Sequence, residues 1–213
     1  MSADGDRGGV RGEYARLAER YDRRWAAYNR HSLDLLRPYL AEREAGNLLD
    51  LGCGTGNLLP RLREWDARVN RYLGADLSPE MLLAASSRVR PSDIPAALLA
   101  ADSAALPVRD GSIDTVVCAS SLHDWGDPAG ALAEARRVLR RGGRLLLVDW
   151  ARDRLPMRVL NAWLRVTRNP YRRMYSLAET TALLAAAGFR VGQAEVRGAG
   201  WPWSLLVVEA IAG

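Results

Sequence analysis

The residues with the clearest chemical potential form one run, Asp50-Leu51-Gly52-Cys53-Gly54-Thr55-Gly56-Asn57, followed by carboxylates at Asp76 and Asp102. Three glycines at alternate positions let a chain turn tightly between a strand and a helix and bring its backbone close to a ligand. Asp76 lies 20 residues beyond Gly56. At that spacing a carboxylate ending the next strand can accept both hydroxyls of a ribose. The dinucleotide fingerprint requires G-x-G-x-x-G, whose third glycine serves a pyrophosphate at a helix N-terminus. Here the spacing is G-x-G-x-G with Asn57 after it, so that pattern fails. Asp50, just ahead of the glycines, repels a phosphate and suits a cation such as an ammonium group. Asp102-Ser103 offers a third carboxylate, able to accept from an adenine amino group; an Asp in this setting also serves as a cap or turn residue. Taken alone, the glycine run also fits a βα turn with no ligand.

Elements must position these groups. Residues 48–51 read as a short apolar strand entering the glycines, with a helix following through Trp65. Further strands are expected over 71–75, 96–101, 113–119 and 144–148. Pro79 starts a helix with Ser78 as its cap. Residues 128–140 form a helix closed by Gly142-Gly143. Apolar strands alternating with helices imply an α/β fold, a Rossmann-like, mostly parallel sheet with helices on both faces. The end differs: helices over 157–167 and 177–187, then strands 189–196 and 205–211 joined across Gly198-Ala199-Gly200 as an antiparallel edge hairpin. Before the sheet, apolar spacing over 14–39 predicts an amphipathic helix, or two broken near Asn29. A phosphate-free nucleoside with a positive end, held where strands end, describes S-adenosylmethionine (SAM).

Bulk properties fit one domain of 213 residues, 48% hydrophobic and 26% charged. No apolar run reaches membrane-spanning length. Residues 1–12 are polar and Gly-rich and read as a disordered tail, leaving 13–213 as the domain. Cys53 and Cys118 make no disulfide framework and no zinc spacing, which fits a reducing cytoplasm. Net charge is +5 and every basic residue is Arg. Such a balance can serve an acidic partner, but no dense basic block stands out, so no nucleic acid is expected.

The stretches LLDLGCGTGNLLP, LGADLSPEML, AADSAALPVRDGSIDTVVCASSLH and LAEARRVLRRGGRLLLVD occur in order from Leu48 to Asp149. With them the chain resembles the class I SAM-dependent methyltransferases, in particular the small-molecule group that includes ubiquinone and menaquinone biosynthesis methyltransferases. The resemblance implies a seven-stranded sheet ordered 3-2-1-4-5-7-6 with strand 7 antiparallel. It implies that Asp50, Gly52, Gly54 and Gly56 hold the methionine end of SAM and Asp76 the ribose. Leu77 and Met81 would pack near the adenine, Asp102 and Ser103 take its edge, and Ser120 lie near the sulfonium. Tyr14 and Tyr21 fall in a segment, 13–40, resembling a lid over SAM; both also fit a core-facing stripe.

The methyl acceptor is less legible. Past the fourth strand, Ser121-Leu122-His123-Asp124-Trp125 enters the pocket region, and His123 is a candidate general base or a residue that shapes the pocket. The Asn/Asp-Pro-Pro-aromatic signature of enzymes acting on amino groups of bases or glutamine is missing. Asp149 lacks the Asp-Asn partner of metal-dependent relatives, so no metal is expected. A helical insert, 151–175, places Met157, Leu160, Trp163, Leu164 and Thr167 on one side and Arg158, Asn161, Arg165 and Arg168 on the other. It suits a lid on the acceptor pocket, ordinary core packing, or weak contact with an anionic membrane. Trp125, Trp150, Trp201 and Trp203 offer apolar wall. The expectation is methyl transfer to a small, apolar or aromatic acceptor by in-line displacement, in a monomer or homodimer. The alternatives are an RNA or protein methyltransferase and a SAM-binding protein without catalysis.

Overall fold

The computed structural model describes residues 22, 25–89, 94–167, 172–200 and 203–213. Tyr14, Tyr21, the tail 1–12, Arg168 and Trp201 lie outside the described residues. Helix α1, residues 25–34, runs without interruption through Asn29. It breaks at 35–36 instead, because Pro38 lacks the N–H that would continue the ladder and sits in the first turn of a new helix, α2 (Arg37–Ala41). There follow β1 (Gly46–Leu51), α3 (Leu58–Glu64), β2 (Val69–Asp76), α4 (Pro79–Ser86), β3 (Ala96–Ala100) and β4 (Ile113–Ala119). A 3-10 turn (Leu122–Asp124) leads to α5 (Pro128–Val138), β5 (Leu139–Trp150), α6 (Leu155–Thr167), α7 (Leu177–Ala186), β6 (Phe189–Gly198) and β7 (Ser204–Ala212).

The seven strands form one sheet ordered β3-β2-β1-β4-β5-β7-β6. Strands β1 to β5 pair in parallel, and β7 runs antiparallel to both β5 and β6. The order and the reversed strand agree with the sequence reading. Strands β1 and β4 are buried along almost their whole length, as central parallel strands covered on both faces must be. Alternate side chains feed two cores. Leu49, Val116 and Leu147 pack with Leu132 of α5 and Leu184 of α7. Leu48, Val117 and Leu146 pack with Leu36 from the break before α2, Leu40 of α2 and Leu62 of α3 on the opposite face. Because the chain leaves β1 for β2 on one side and meets β4 on the other, the sheet has a switch point there, where ligands of such sheets bind.

Two local expectations change. Helix α5 ends at Val138, with Leu139 already extended. Pairing jumps from Ile113↔Leu139 to Thr115↔Arg144, so Gly142 (φ +74°) turns a bulge in β5 rather than closing the helix. On α6 only Met157 is fully buried, with Leu160 and Leu164 packed beside it. Trp163 faces outward instead, 59% exposed. Among the described residues no helix is long and apolar enough to cross a membrane.

Candidate active site

The site forms where β1, β2 and β4 end. Gly52 and Cys53 donate their backbone N–H groups to the Ala75 carbonyl at 2.8 and 3.0 Å, stapling the glycine loop to the end of β2. Gly52 has φ +76°, and a Cβ there would stand 2.5 Å from the Ser121 Cβ. Ser121 itself donates to the Leu51 carbonyl at 3.0 Å. Gly54 (φ +53°) donates its N–H to Asp76 Oδ2 at 2.8 Å, and Ser78 donates its N–H to Asp76 Oδ1 at 2.9 Å. Burial pushes the Asp76 carboxyl above its ordinary value, against the pull of these backbone donors. Ser78 Oγ then accepts from the Met81 N–H at 3.3 Å, the cap that starts α4.

A cavity of about 360 Å³ opens at this switch point. Asp50, Gly52, Gly54 and Asp76 line it, as do Leu77 and Met81. Asp102, Ser103 and Ser120 line it as well. Gly56 does not; a Cβ there would meet the Ala85 Cβ at 3.1 Å, so its smallness serves packing of the loop on α4. Asp102 Oδ1 accepts from the Ala104 N–H at 3.0 Å, so the turn role is present while the residue also faces the cavity. Ser120 holds φ +57°, uncommon for a residue with a side chain, and its hydroxyl meets Tyr28 Oη of α1 at 2.9 Å.

Asp50 is 3% exposed, and its Oδ2 accepts from the Tyr72 hydroxyl at 2.7 Å. Burial drives its carboxyl up to about 7, the Tyr72 bond lowers it and nearby Asp76 raises it. A buried carboxyl on a cavity wall costs free energy to ionise unless a cation or further hydrogen-bond donors accompany it.

His123 does not line the cavity. It is 4% exposed, with Nδ1 2.7 Å from Asp149 Oδ1 and its backbone N–H donating to Asp149 Oδ2 at 3.1 Å. Its ring stacks on Trp150 at 4.4 Å between centroids, and Nε2 lies 3.5 Å from Asp124 Oδ2. Asp124, not His123, reaches the cavity. The tryptophans also divide. Trp125 lines the cavity, whereas Trp150 and Trp203 pack away from it with Trp25 and Tyr28.

One group in the segment that resembles a lid acquires its partners only through the fold. Asp22 accepts at Oδ1 from Thr55 Oγ1 (2.6 Å) and Asn57 Nδ2 (2.9 Å), and at Oδ2 from Arg88 (2.6 Å). Arg88 also donates to the Thr55 carbonyl at 2.6 Å. Asp22, itself in helical conformation, is thus fastened to the glycine loop. Burial alone would raise its carboxyl, but the three side-chain donors and the Arg88 charge outweigh it and hold it below its ordinary 3.8. Asp22→Ala is therefore expected to cost about 1–3 kcal/mol of stability in urea unfolding. Because the folded value is depressed, that contribution is present above the ordinary value and disappears as pH falls through the folded one, so wild type and variant converge in acid.

This geometry defines an α/β domain with a carboxylate-lined cavity at the sheet's switch point, where such sheets bind their ligands. Comparison with known proteins narrows the class. Residues 49–147 match the family described as methyltransferase domain. Demethylmenaquinone methyltransferase of Thermus thermophilus is 36% identical over 129 residues, covering 61% of this chain and 55% of that one. Malonyl-[acyl-carrier protein] O-methyltransferase of Pseudescherichia vulneris is 32% identical over 178 residues, 84% of this chain and 67% of the relative. The chain spans about half the length of several other curated relatives. Magnesium protoporphyrin IX methyltransferase from Synechocystis, solved with SAH, superposes with TM-score 0.75 at 20% identity, over 98% of this chain and all of that one. A Haloferax volcanii methyltransferase complexed with its Trm112 activator gives TM-score 0.80 at 21% identity, covering 94% and 97%. The chain belongs to the class I SAM-dependent methyltransferases.

Proposed function

We propose that the cavity takes SAM and that the chain moves its methyl group to a small, apolar or aromatic acceptor. The observation that carries this reading is Asp50, a buried carboxylate on the cavity wall whose charged state calls for an ammonium partner. In this reading Gly52 and Gly54 give the methionine end backbone at close range, and Asp76 accepts from the ribose. Leu77 and Met81 flank the adenine, whose edge meets Asp102 and Ser103, and Ser120 stands near the sulfonium. The small acceptor draws support from relatives named for demethylmenaquinone and malonyl-[acyl-carrier protein].

Bound SAM supplies an electrophilic methyl on a sulfonium. The protein's part is to align the acceptor in line with it and to exclude water, effects that together supply roughly 7–11 kcal/mol. Trp125 gives the cavity an apolar surface, while Asp124 and Arg172 give it polar ones. An acceptor that must lose a proton meets Asp124 first; His123, behind it and held by Asp149, is a positioning residue for that carboxylate. His123→Ala should leave SAM affinity within about threefold of wild type while costing about 2–4 kcal/mol of stability, because Asp149 loses a buried partner. Paired calorimetry and urea unfolding read both.

Calorimetry also tests the whole reading. Heat is expected with SAM and with SAH and none with NAD; uptake of NAD with no response to SAM or SAH overturns it. Incubation with methyl-labelled SAM and a cell extract then identifies the labelled product.

A further inference from the structure

We propose that the outer face of α6 docks the protein on an anionic lipid surface. Leu155, Val159, Trp163 and Val166 are 72, 63, 59 and 88% exposed. At about 100° per residue they fall within roughly 80° of one another on the helix, a continuous apolar stripe. This stripe is separate from the inner one, where Met157, Leu160 and Leu164 meet the core. Exposed single apolar side chains are ordinary, but four on one helix face are a recognition surface.

Charge decides between occupants. The helix LPMRVLNAWLRVT contains no Asp or Glu. Arg158 and Arg165 are exposed and border the stripe on one flank, and exposed Arg154 precedes the first turn on the same flank. A second copy of the chain packed face to face would bring these arginines together with no carboxylate on either helix to offset them. A lipid surface with anionic headgroups satisfies both features at once: hydrocarbon takes the apolar stripe with Trp163 at the interface, and phosphates take the arginines. The chain's net charge of +5 adds attraction of the same sign. The docked helix is also linked, through one hydrogen bond, to a segment that reaches the cavity. Asn161 Oδ1 accepts from the Met174 N–H at 2.8 Å, tying α6 to the segment that carries cavity residue Arg172.

The test is co-sedimentation of the full chain, at low ionic strength, with phosphatidylcholine vesicles prepared with and without phosphatidylglycerol. Wild type is expected to sediment with the anionic vesicles only. Trp163→Glu/Val166→Glu and Arg158→Gln/Arg165→Gln should each lower partitioning by about tenfold or more. Circular dichroism and thermal unfolding should match wild type, because all four side chains are exposed. Failure of wild type to bind anionic vesicles overturns the proposal. So does binding that ignores the Trp163→Glu/Val166→Glu change, or a dimer in sedimentation velocity that this variant abolishes.

Discussion

Asp50→Asn is expected to weaken SAM binding by about a hundredfold, roughly 3 kcal/mol, while making the ligand-free protein more stable at and above neutral pH. The two effects share one cause. Asn fits the space and still accepts from the Tyr72 hydroxyl, but it carries no charge to meet an ammonium group. In the free protein the carboxyl sits near 7 rather than its ordinary 3.8 because burial penalises the ionised form. A raised folded value means that its favourable contribution is complete below the ordinary value and is lost as pH climbs toward 7. Above that, the buried charge costs about 4 kcal/mol relative to an unshifted group. Urea unfolding of both proteins between about pH 5 and 8 should therefore show wild type falling behind the variant as pH rises. Calorimetry over the same range should show wild-type Kd tightening toward pH 7 and then levelling, with a flat line for the variant. Equal affinity in the two proteins would remove Asp50 from the ligand site.

Gly52→Ala and Gly54→Ala should part company. Both glycines have positive φ, which costs an Ala about 1–2 kcal/mol. At Gly52 the new methyl also collides with Ser121, whose hydroxyl is tied to Leu51. Neither partner can yield without moving the end of β1, so more than about 3 kcal/mol of stability should be lost. At Gly54 no atom lies within 4 Å of the added carbon. Its Ala variant should unfold near the wild-type urea midpoint, displaced only by the φ cost, yet bind SAM about tenfold or more weakly, since the methyl intrudes on a cavity wall. A Gly52→Ala protein as stable as wild type would contradict the loop geometry described above.

The alternation of strands and helices, and the carboxylates at Asp50, Asp76 and Asp102, were legible because each depends on local pattern and spacing. What escaped depends on which way a side chain turns. His123 and Asp124 are adjacent, and only the 3-10 turn decides that the carboxylate faces the cavity while the imidazole faces Asp149. Trp125 and Trp150 are equally apolar; one ends a turn at the cavity, the other ends β5 beneath α1. Helix α6 carries two apolar stripes with overlapping periods, so periodicity assigned Trp163 to the inner one. The end of α5 failed differently. Residues 139–141 have helical propensity, but Leu139 gains a partner on Ile113 by becoming extended, and tertiary pairing overrides propensity. Asp22 falls in the segment that resembles a lid, but its partners at 55, 57 and 88 are brought to it only by the fold.

The aromatic packing under α1 has an optical consequence. The indoles of Trp25, Trp150 and Trp203 lie with centroids 5.6 to 6.5 Å apart, mutually tilted. At that separation their excited states mix and impose a split circular-dichroism band that isolated tryptophans lack. Since Trp25 belongs to α1, Trp150 to the end of β5 and Trp203 to the residue just ahead of β7, the band reports whether that helix is seated, without any added label.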